Sequence, residues 1–293
     1  MSLLALYDLP APAKLNLFLH VVGRRADGYH LLQSVFVLID WADRLHFERR
    51  RDGTLSRHDL GPALPADDLC LRAARALQAA SGTTLGADIS IKKAVPWGAG
   101  MGGGSSDAAT TLLALNRLWK LGWTREQLAP LALQLGADVP FFLGSGAAFV
   151  EGIGERLTPV AWPASWFAVI HPQVSVSTAE IFSAPELTRS TKAMTIAAFS
   201  ALRDNAVRDG SLAPPTLFGN NDLEPVARRR YPAIDAAIAH LARFGPARMT
   251  GSGSAVFAAV PSESAAQDAV SGLPQGWRGW AVRSLVELPL AVW

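Results

Sequence analysis

The chain has 293 residues, 49% hydrophobic and 18% charged, with a formal net charge of +2. Such a chain buries a substantial core in one large or two ordinary domains, and so small a net charge gives no ground for a nucleic-acid or membrane-surface partner. A single cysteine, Cys70, excludes an intrachain disulfide and suits a reducing compartment; with no basic leader and no apolar run near the ~18 residues of a membrane span, the expected setting is the cytoplasm.

In chain order, the first clear element is a strand over 13–22. Ala13, Leu15, Leu17 and Leu19 alternate with Lys14, Asn16, Phe18 and His20. Lys14 and Asn16 then share a face, roughly 7 Å apart. A lysine in such a strand either snorkels at an edge or is held for function. The turn at 24–28 carries an Asp-Gly signal, and its Arg24 and Arg25 suit a phosphate or a solvated turn equally. Tyr29 and His30 flank it, before an apolar strand or pair of strands over 29–40.

Asp67 or Asp68 caps a helix that ends near Gly82 and carries Cys70 as a buried thiol. A short alternating strand over 87–93 leads to Pro96 and a run of glycines. A helix from Asp107 is closed by Gly122, and a second opens on a Thr124/Gln127 capping box and ends at Gly136. Pro130 is expected to bend or interrupt it. Residues 136–152 read as loop, then strand.

Prolines cluster over 157–166, which places a division between 1–160 and 161–293. The second part reads as a strand at 166–172, surface connections at 183–194 and 208–221, a helix at 231–245, strand–turn–strand at 247–260, a helix at 262–273 and a strand at 279–286. Only 188–216 has a composition compatible with local disorder. Strands and helices mix in both halves, so the class is α+β or α/β, and periodicity leaves the strand order open.

The stretch Val-Pro-Trp-Gly-Ala-Gly-Met-Gly-Gly-Gly-Ser-Ser-Asp-Ala-Ala-Thr, 95–110, carries the chemistry. Glycines admit positive φ and close approach, so successive backbone N–H groups form an anion cradle. The stretch runs into a helix start, which also favours phosphate. Ser105 and Ser106 add hydroxyls that donate to phosphate oxygens or ligate magnesium. A Walker A loop is excluded because no lysine follows the glycines. Gly98-x-Gly100-x-x-Gly103 satisfies a dinucleotide pattern, but residues 116–124 lack the acidic residue that pattern requires. An NAD-linked oxidoreductase therefore remains a distant alternative.

Asp138, in Gly-Ala-Asp-Val-Pro, is either a helix-end aspartate or a group that takes a proton; proline biases the residue before it to extended backbone. Gly251-Ser252-Gly253-Ser254 suits a hairpin turn. The histidines have no metal-ligand spacing, and neither a zinc site nor a Ser-His-Asp arrangement is present.

Four segments occur together: 12–36, 96–109, 135–143 and 248–258. They resemble the GHMP kinases, the group containing galactokinase, homoserine kinase and mevalonate kinase, and the first segment resembles one member rather than the whole group. The resemblance implies an α+β fold of two domains with the active site between them. The N-terminal domain would be ribosomal-protein-S5-like and the C-terminal one a ferredoxin-like α/β domain. It also implies transfer of the γ-phosphate of ATP, with Mg2+, to a hydroxyl of a small molecule carrying a cytidine diphosphate group, in the non-mevalonate synthesis of isoprenoid precursors. The enzyme would be a monomer or weak homodimer. A GHMP kinase for another small alcohol, such as mevalonate or homoserine, is the alternative.

Residue by residue, Lys14 and Asp138 match the catalytic pair. Pro96, Trp97, Gly98, Ala99, Gly100, Met101, Gly102, Gly103, Gly104, Ser105 and Ser106 match the ATP loop, with Ser106 also a metal-ligand candidate, and Lys93 lies near the nucleotide. Asn16, Tyr29, His30, Asp138, Thr178 and Phe182 match positions around the acceptor, with Gly251 and Ser252 closing over its side of the phosphates. Tyr29 and His30 would stack on the pyrimidine, with Phe182 supplying the opposite face. Asp68 departs from the asparagine common in related sequences, and Trp97 and Met101 replace smaller or aliphatic residues.

Overall fold

The computed structural model describes residues 3–144, 146–201 and 217–293. A long antiparallel hairpin, β1 (Ala5–Arg24) and β2 (His30–Arg50), organises the first half. β3 (Leu55–Asp59), β4 (Gly86–Lys92), β5 (Ala148–Gly152) and β6 (Arg156–Pro159) complete its sheet in the order β3-β4-β2-β5-β6, with β1 also on β2. The second sheet has the order β10-β7-β9-β8, from β7 (Trp166–His171), β8 (Ala247–Met249), β9 (Val256–Val260) and β10 (Arg278–Arg283).

Period-two alternation on β2 decides the layering. Phe36 and Leu38 join the core beneath α1 (Leu69–Ser81), α2 (Gly103–Leu118) and α3 (Arg125–Leu135). Val35, Val37 and Ile39 pack instead with Phe167, Val169 and Phe257 of the second sheet. The first sheet is thus covered on both faces, and Lys14 through Leu19 are all buried. Beyond the second sheet, a third core includes residues of α4 (Thr178–Ser183), α5 (Glu224–Arg230), α6 (Pro232–Leu241) and α7 (Glu263–Ala269).

Local signals account for several boundaries. Asp68 caps α1 by accepting from the Leu71 N–H, and Gly82 ends it at φ 67°. Thr124 and Gln127 form the reciprocal capping box of α3. Other boundaries differ from expectation. β1 starts at Ala5, and β2 is one strand. α2 starts within the glycines at Gly103 and ends at Leu118, before Gly122. α3 continues through Pro130, since packing of Leu128, Ala132 and Leu135 supports both sides of the lost hydrogen bond. Residues Val139–Leu143 form a 3-10 helix with Pro140 in its first turn, where no N–H is required, so the stretch is not extended as the proline suggested. The expected connection at 208–221 and the stretch at 188–216 fall partly on 202–216, outside the described residues.

Candidate active site

The site gathers around Lys14. Its position midway along β1 is pinned by its backbone N–H, which donates to the Met101 carbonyl at 2.9 Å and joins the strand to the glycine loop. The ammonium donates to Asn16 Oδ1 at 2.5 Å, lies 3.6 Å from Asp138 Oδ2 and sits 4.5 Å from the centre of the Phe36 ring. Lys14 is only 3% exposed. Burial lowers its pKa, and the Asp138 charge opposes that fall only in part. Asp138 stands at the N-cap position of the 3-10 helix without a side-chain capping bond and is partly exposed, which leaves a carboxylate oxygen accessible beside a fixed cation.

The glycine loop forms the neighbouring wall. Gly98, Gly100 and Gly102 all have positive φ, at 69°, 78° and 70°. Gly102 is the N-cap of α2 and offers no side chain to its first N–H groups, so these donors remain for a ligand. Pro96 through Ser105, with Leu69 and Lys93, line a cavity of about 220 Å³. Ala99 and Met101 are buried under the loop, whereas Trp97 is 74% exposed. Ser106 does not line this cavity. Its Oγ is buried without a partner, as is Oδ1 of Asp107.

Lys93 sits between two carboxylates. Its ammonium donates to Asp107 Oδ2 at 2.6 Å and to Asp43, which also accepts the Ala94 and Val95 N–H groups at 2.6 and 2.8 Å. Burial works against the Lys93 charge, but Asp107 and Asp43 outweigh it and hold the ammonium above its ordinary pKa. Burial pushes the Asp107 carboxyl well up, with Lys93 opposing and Asp43 reinforcing. Lys93, Asp107, Trp97, Leu64, Leu69 and Cys70 are among the residues lining an adjoining cavity of about 200 Å³. Asp68 lines it too, but is held by its capping bond and a 2.9 Å ion pair with Arg57.

Lys14, Asn16, Asp138, Gly98, Gly100, Gly102, Thr178, Phe182, Gly251 and Ser252 line a further cavity of about 320 Å³. The expected reactive pair, part of the first glycine loop and the second glycine turn therefore meet in one space. Next to it, Arg24, Tyr29, His30, Thr178 and Phe182 line a cavity of about 540 Å³. His30 and Phe182 do not supply opposite faces for a base. Their ring centres are 4.9 Å apart, too close for another ring to enter, so they form one wall. His30 Nε2 accepts from Arg189 at 3.1 Å, and burial, then Arg189 and Arg24, lowers its pKa. Arg25 pairs with Asp27 at 2.7 Å.

The second glycine turn joins these parts. Thr250 Oγ1 accepts the Asn16 N–H at 3.0 Å and lies 3.3 Å from the Gly100 carbonyl, while Ser252 Oγ is 2.7 Å from Thr178 Oγ1. Asp43, Asp107 and Thr250 escaped the sequence reading. Asp107 follows two serines at a helix start and Thr250 precedes a glycine turn, so position alone could have flagged both; Asp43 has no such local signal.

Comparisons with known proteins agree with this geometry. The family profile "GHMP kinases N terminal domain" matches residues 68–150, and "GHMP kinases C terminal" matches residues 201–279. The 4-diphosphocytidyl-2-C-methyl-D-erythritol kinase of Methylibium petroleiphilum is 61% identical, covering 100% of this chain and 99% of that protein. That of Cupriavidus taiwanensis is 56% identical over 98% of this chain and 95% of its own length. A crystal structure of 4-(cytidine 5'-diphospho)-2C-methyl-D-erythritol kinase superposes with a TM-score of 0.80 at 36% identity, covering 94% of this chain and 98% of that one. Homoserine kinase from Cytophaga hutchinsonii has the same fold, with a TM-score of 0.69 at 18% identity over 97% of this chain and 95% of that one. Among the described residues, no helix is long and apolar enough to cross a membrane.

Proposed function

We propose a reaction from the premise that this chain belongs to the GHMP kinases and, within them, to the 4-diphosphocytidyl-2-C-methyl-D-erythritol kinases. It transfers the γ-phosphate of ATP to the 2-hydroxyl of 4-diphosphocytidyl-2-C-methyl-D-erythritol, giving the 2-phosphate for isoprenoid precursor synthesis. The observation that carries this reading is the Lys14–Asp138 pair, which shares one cavity with residues of both glycine turns.

Phosphoryl transfer asks a protein mainly for positioning and charge stabilisation. The glycine loop and the first N–H groups of α2 hold the triphosphate. Asp138 orients the acceptor hydroxyl and takes its proton, while Lys14 stabilises charge growing between donor and acceptor. Asn16 fixes the lysine, accepting from it through Oδ1 and donating through Nδ2 to Ser34 Oγ at 3.0 Å. Lys93 and Trp97 flank the nucleotide. Tyr29, with the wall made by His30 and Phe182, receives the cytosine, and Thr178, Gly251 and Ser252 lie along the diphosphate.

Mg2+ would take most of its ligands from the phosphates of ATP. Among the described residues no cluster of three or more His, Cys, Asp or Glu could hold a metal, and the unpartnered Ser106 hydroxyl lies buried behind the loop cavity, so it would have to turn toward the phosphates to contribute an oxygen. A bound Mg2+ would neutralise phosphate charge. The nucleotide-side domain spans 1–160 and the acceptor-side domain 161–293, a division supported by β6 ending at Pro159 and β7 beginning at Trp166, with the residues from Leu285 onward returning to the first core. A monomer or weak homodimer in the cytoplasm suffices for this chemistry.

The test is direct. With ATP and Mg2+, the protein should phosphorylate 4-diphosphocytidyl-2-C-methyl-D-erythritol and leave mevalonate and homoserine unchanged. Turnover of either small alcohol at a comparable rate would reverse the assignment.

A further inference from the structure

Asn221 is buried and lines none of the cavities described above. Its Nδ2 donates to the Met249 carbonyl and to the Gly251 carbonyl, both at 2.8 Å. Its Oδ1 accepts the Leu223 N–H at 3.0 Å. Both amide hydrogens are thus spent on the carbonyls flanking Thr250. Neither carbonyl can be served by an acceptor, so the position requires an amide rather than a carboxylate.

Pinning the Gly251 carbonyl has a consequence for the next residue. Across a planar trans peptide, C=O and N–H point in opposite directions. With the carbonyl turned to Asn221, the Ser252 N–H faces the other way. Among the described residues it has no hydrogen-bond acceptor, and Gly251 and Ser252 both line the cavity that holds Lys14 and Asp138.

The geometry points to Asn221 as a positioning residue that aims the Ser252 N–H at the acceptor's diphosphate. This rests on the reaction proposed above. Thr178 decides which part of the acceptor lies there: it lines both the cavity of the reactive pair and the one walled by His30 and Phe182, and its hydroxyl is 2.7 Å from that of Ser252. The diphosphate is the part of the acceptor that links its nucleoside to its reacting alcohol. An N–H fixed in advance stabilises that anionic oxygen without reorganising on binding.

Asn221→Asp tests the idea at constant size. It keeps the acceptor for Leu223 and sets an oxygen against both carbonyls. The KM for the acceptor and the Kd for cytidine 5'-diphosphate, used as a probe, should each rise about ten- to a hundredfold. The Kd for a non-hydrolysable ATP analogue should stay within about twofold. Parallel loss of ATP-analogue affinity and thermal stability, or acceptor KM and probe Kd unchanged in a folded variant, would overturn the proposal. A second measurement needs no variant: in the unaltered protein labelled with 15N-serine, the Ser252 amide proton should move downfield as cytidine 5'-diphosphate is added. A static signal refutes the proposal even if Asn221→Asp fails to fold. If the probe moves that signal but the kinase assay fails, the reaction assignment falls and the role of Asn221 in binding the diphosphate stands.

Discussion

Lys14 carries its charge where burial opposes it, and the opposing Asp138 charge leaves its pKa below the ordinary lysine value. The sign for stability follows. Folding disfavours the charged form, so this group's contribution to stability improves as pH rises through the folded pKa, the reverse of a lysine that gains a partner on folding. Activity runs the other way, because the ammonium is lost at a lower pH than an exposed lysine would lose it. The pH profile of kcat/KM, which reports the free enzyme, should therefore fall on its alkaline side below the ordinary lysine range. In Lys14→Arg that limb should disappear, at a reduced overall rate, since a guanidinium does not deprotonate. An alkaline limb unmoved in that variant would assign the titration elsewhere. Asp138→Asn should lower kcat by roughly 10²–10⁴. A non-hydrolysable ATP analogue should still bind it, and near-normal turnover would remove Asp138 from the mechanism. Lys14 was legible as an anomaly, a cation in an apolar strand. Its partner across 3.6 Å was legible only through the family resemblance, because the two are far apart in sequence and no periodicity couples them.

The two glycine turns pack backbone against backbone. A Cβ on Gly100 would lie 2.2 Å from the Thr250 carbonyl oxygen, and one on Gly251 would lie 2.7 Å from the Gly100 oxygen. The Ala255 N–H donates to the Ala99 carbonyl at 3.1 Å across the same contact. Gly98 has a similar positive φ, but an added Cβ there meets nothing within 4 Å. Gly100→Ala should therefore incur both backbone strain and a steric clash, about 2–5 kcal/mol together, whereas Gly98→Ala should incur only the strain, about 1–2 kcal/mol. Denaturant unfolding of the two variants separates these contributions; equal losses would show that the turns do not constrain each other. Each turn was readable in the sequence because glycine composition is a local signal. Their contact was not, and neither was the start of α2 at Gly103, where the backbone supplies helical donors that composition reads as loop. Capping was the most legible feature, since Asp68 and Thr124 act on residues three positions away.

The whole molecule closes through its last residues. Leu288 and Leu290 enter the core beneath α1–α3, and the Leu285 N–H donates to the Leu38 carbonyl at 2.8 Å. The chain thus leaves the second sheet at β10 and finishes against the first. Arg125, the first residue of α3, holds this return. Its Nη2 donates to the Leu290 and Ala291 carbonyls at 2.7 and 3.0 Å, and its Nη1 to the Leu143 and Gly144 carbonyls at the end of the 3-10 helix that Asp138 precedes. One guanidinium therefore ties the C-terminal segment to the element that presents the carboxylate. Burial lowers its pKa, but an arginine so placed stays charged at neutral pH. Arg125→Ala leaves several carbonyls without a charged donor, and should cost about 2–3 kcal/mol in denaturant unfolding. Trp293→Ala removes a half-buried ring that packs against the first core 4.8 Å from the Arg117 guanidinium, and should cost less, about 1–2 kcal/mol. That ordering is the test: if both variants lose the same small amount, the terminal residues merely cover the first core, and Arg125 does not couple them to the segment that carries Asp138.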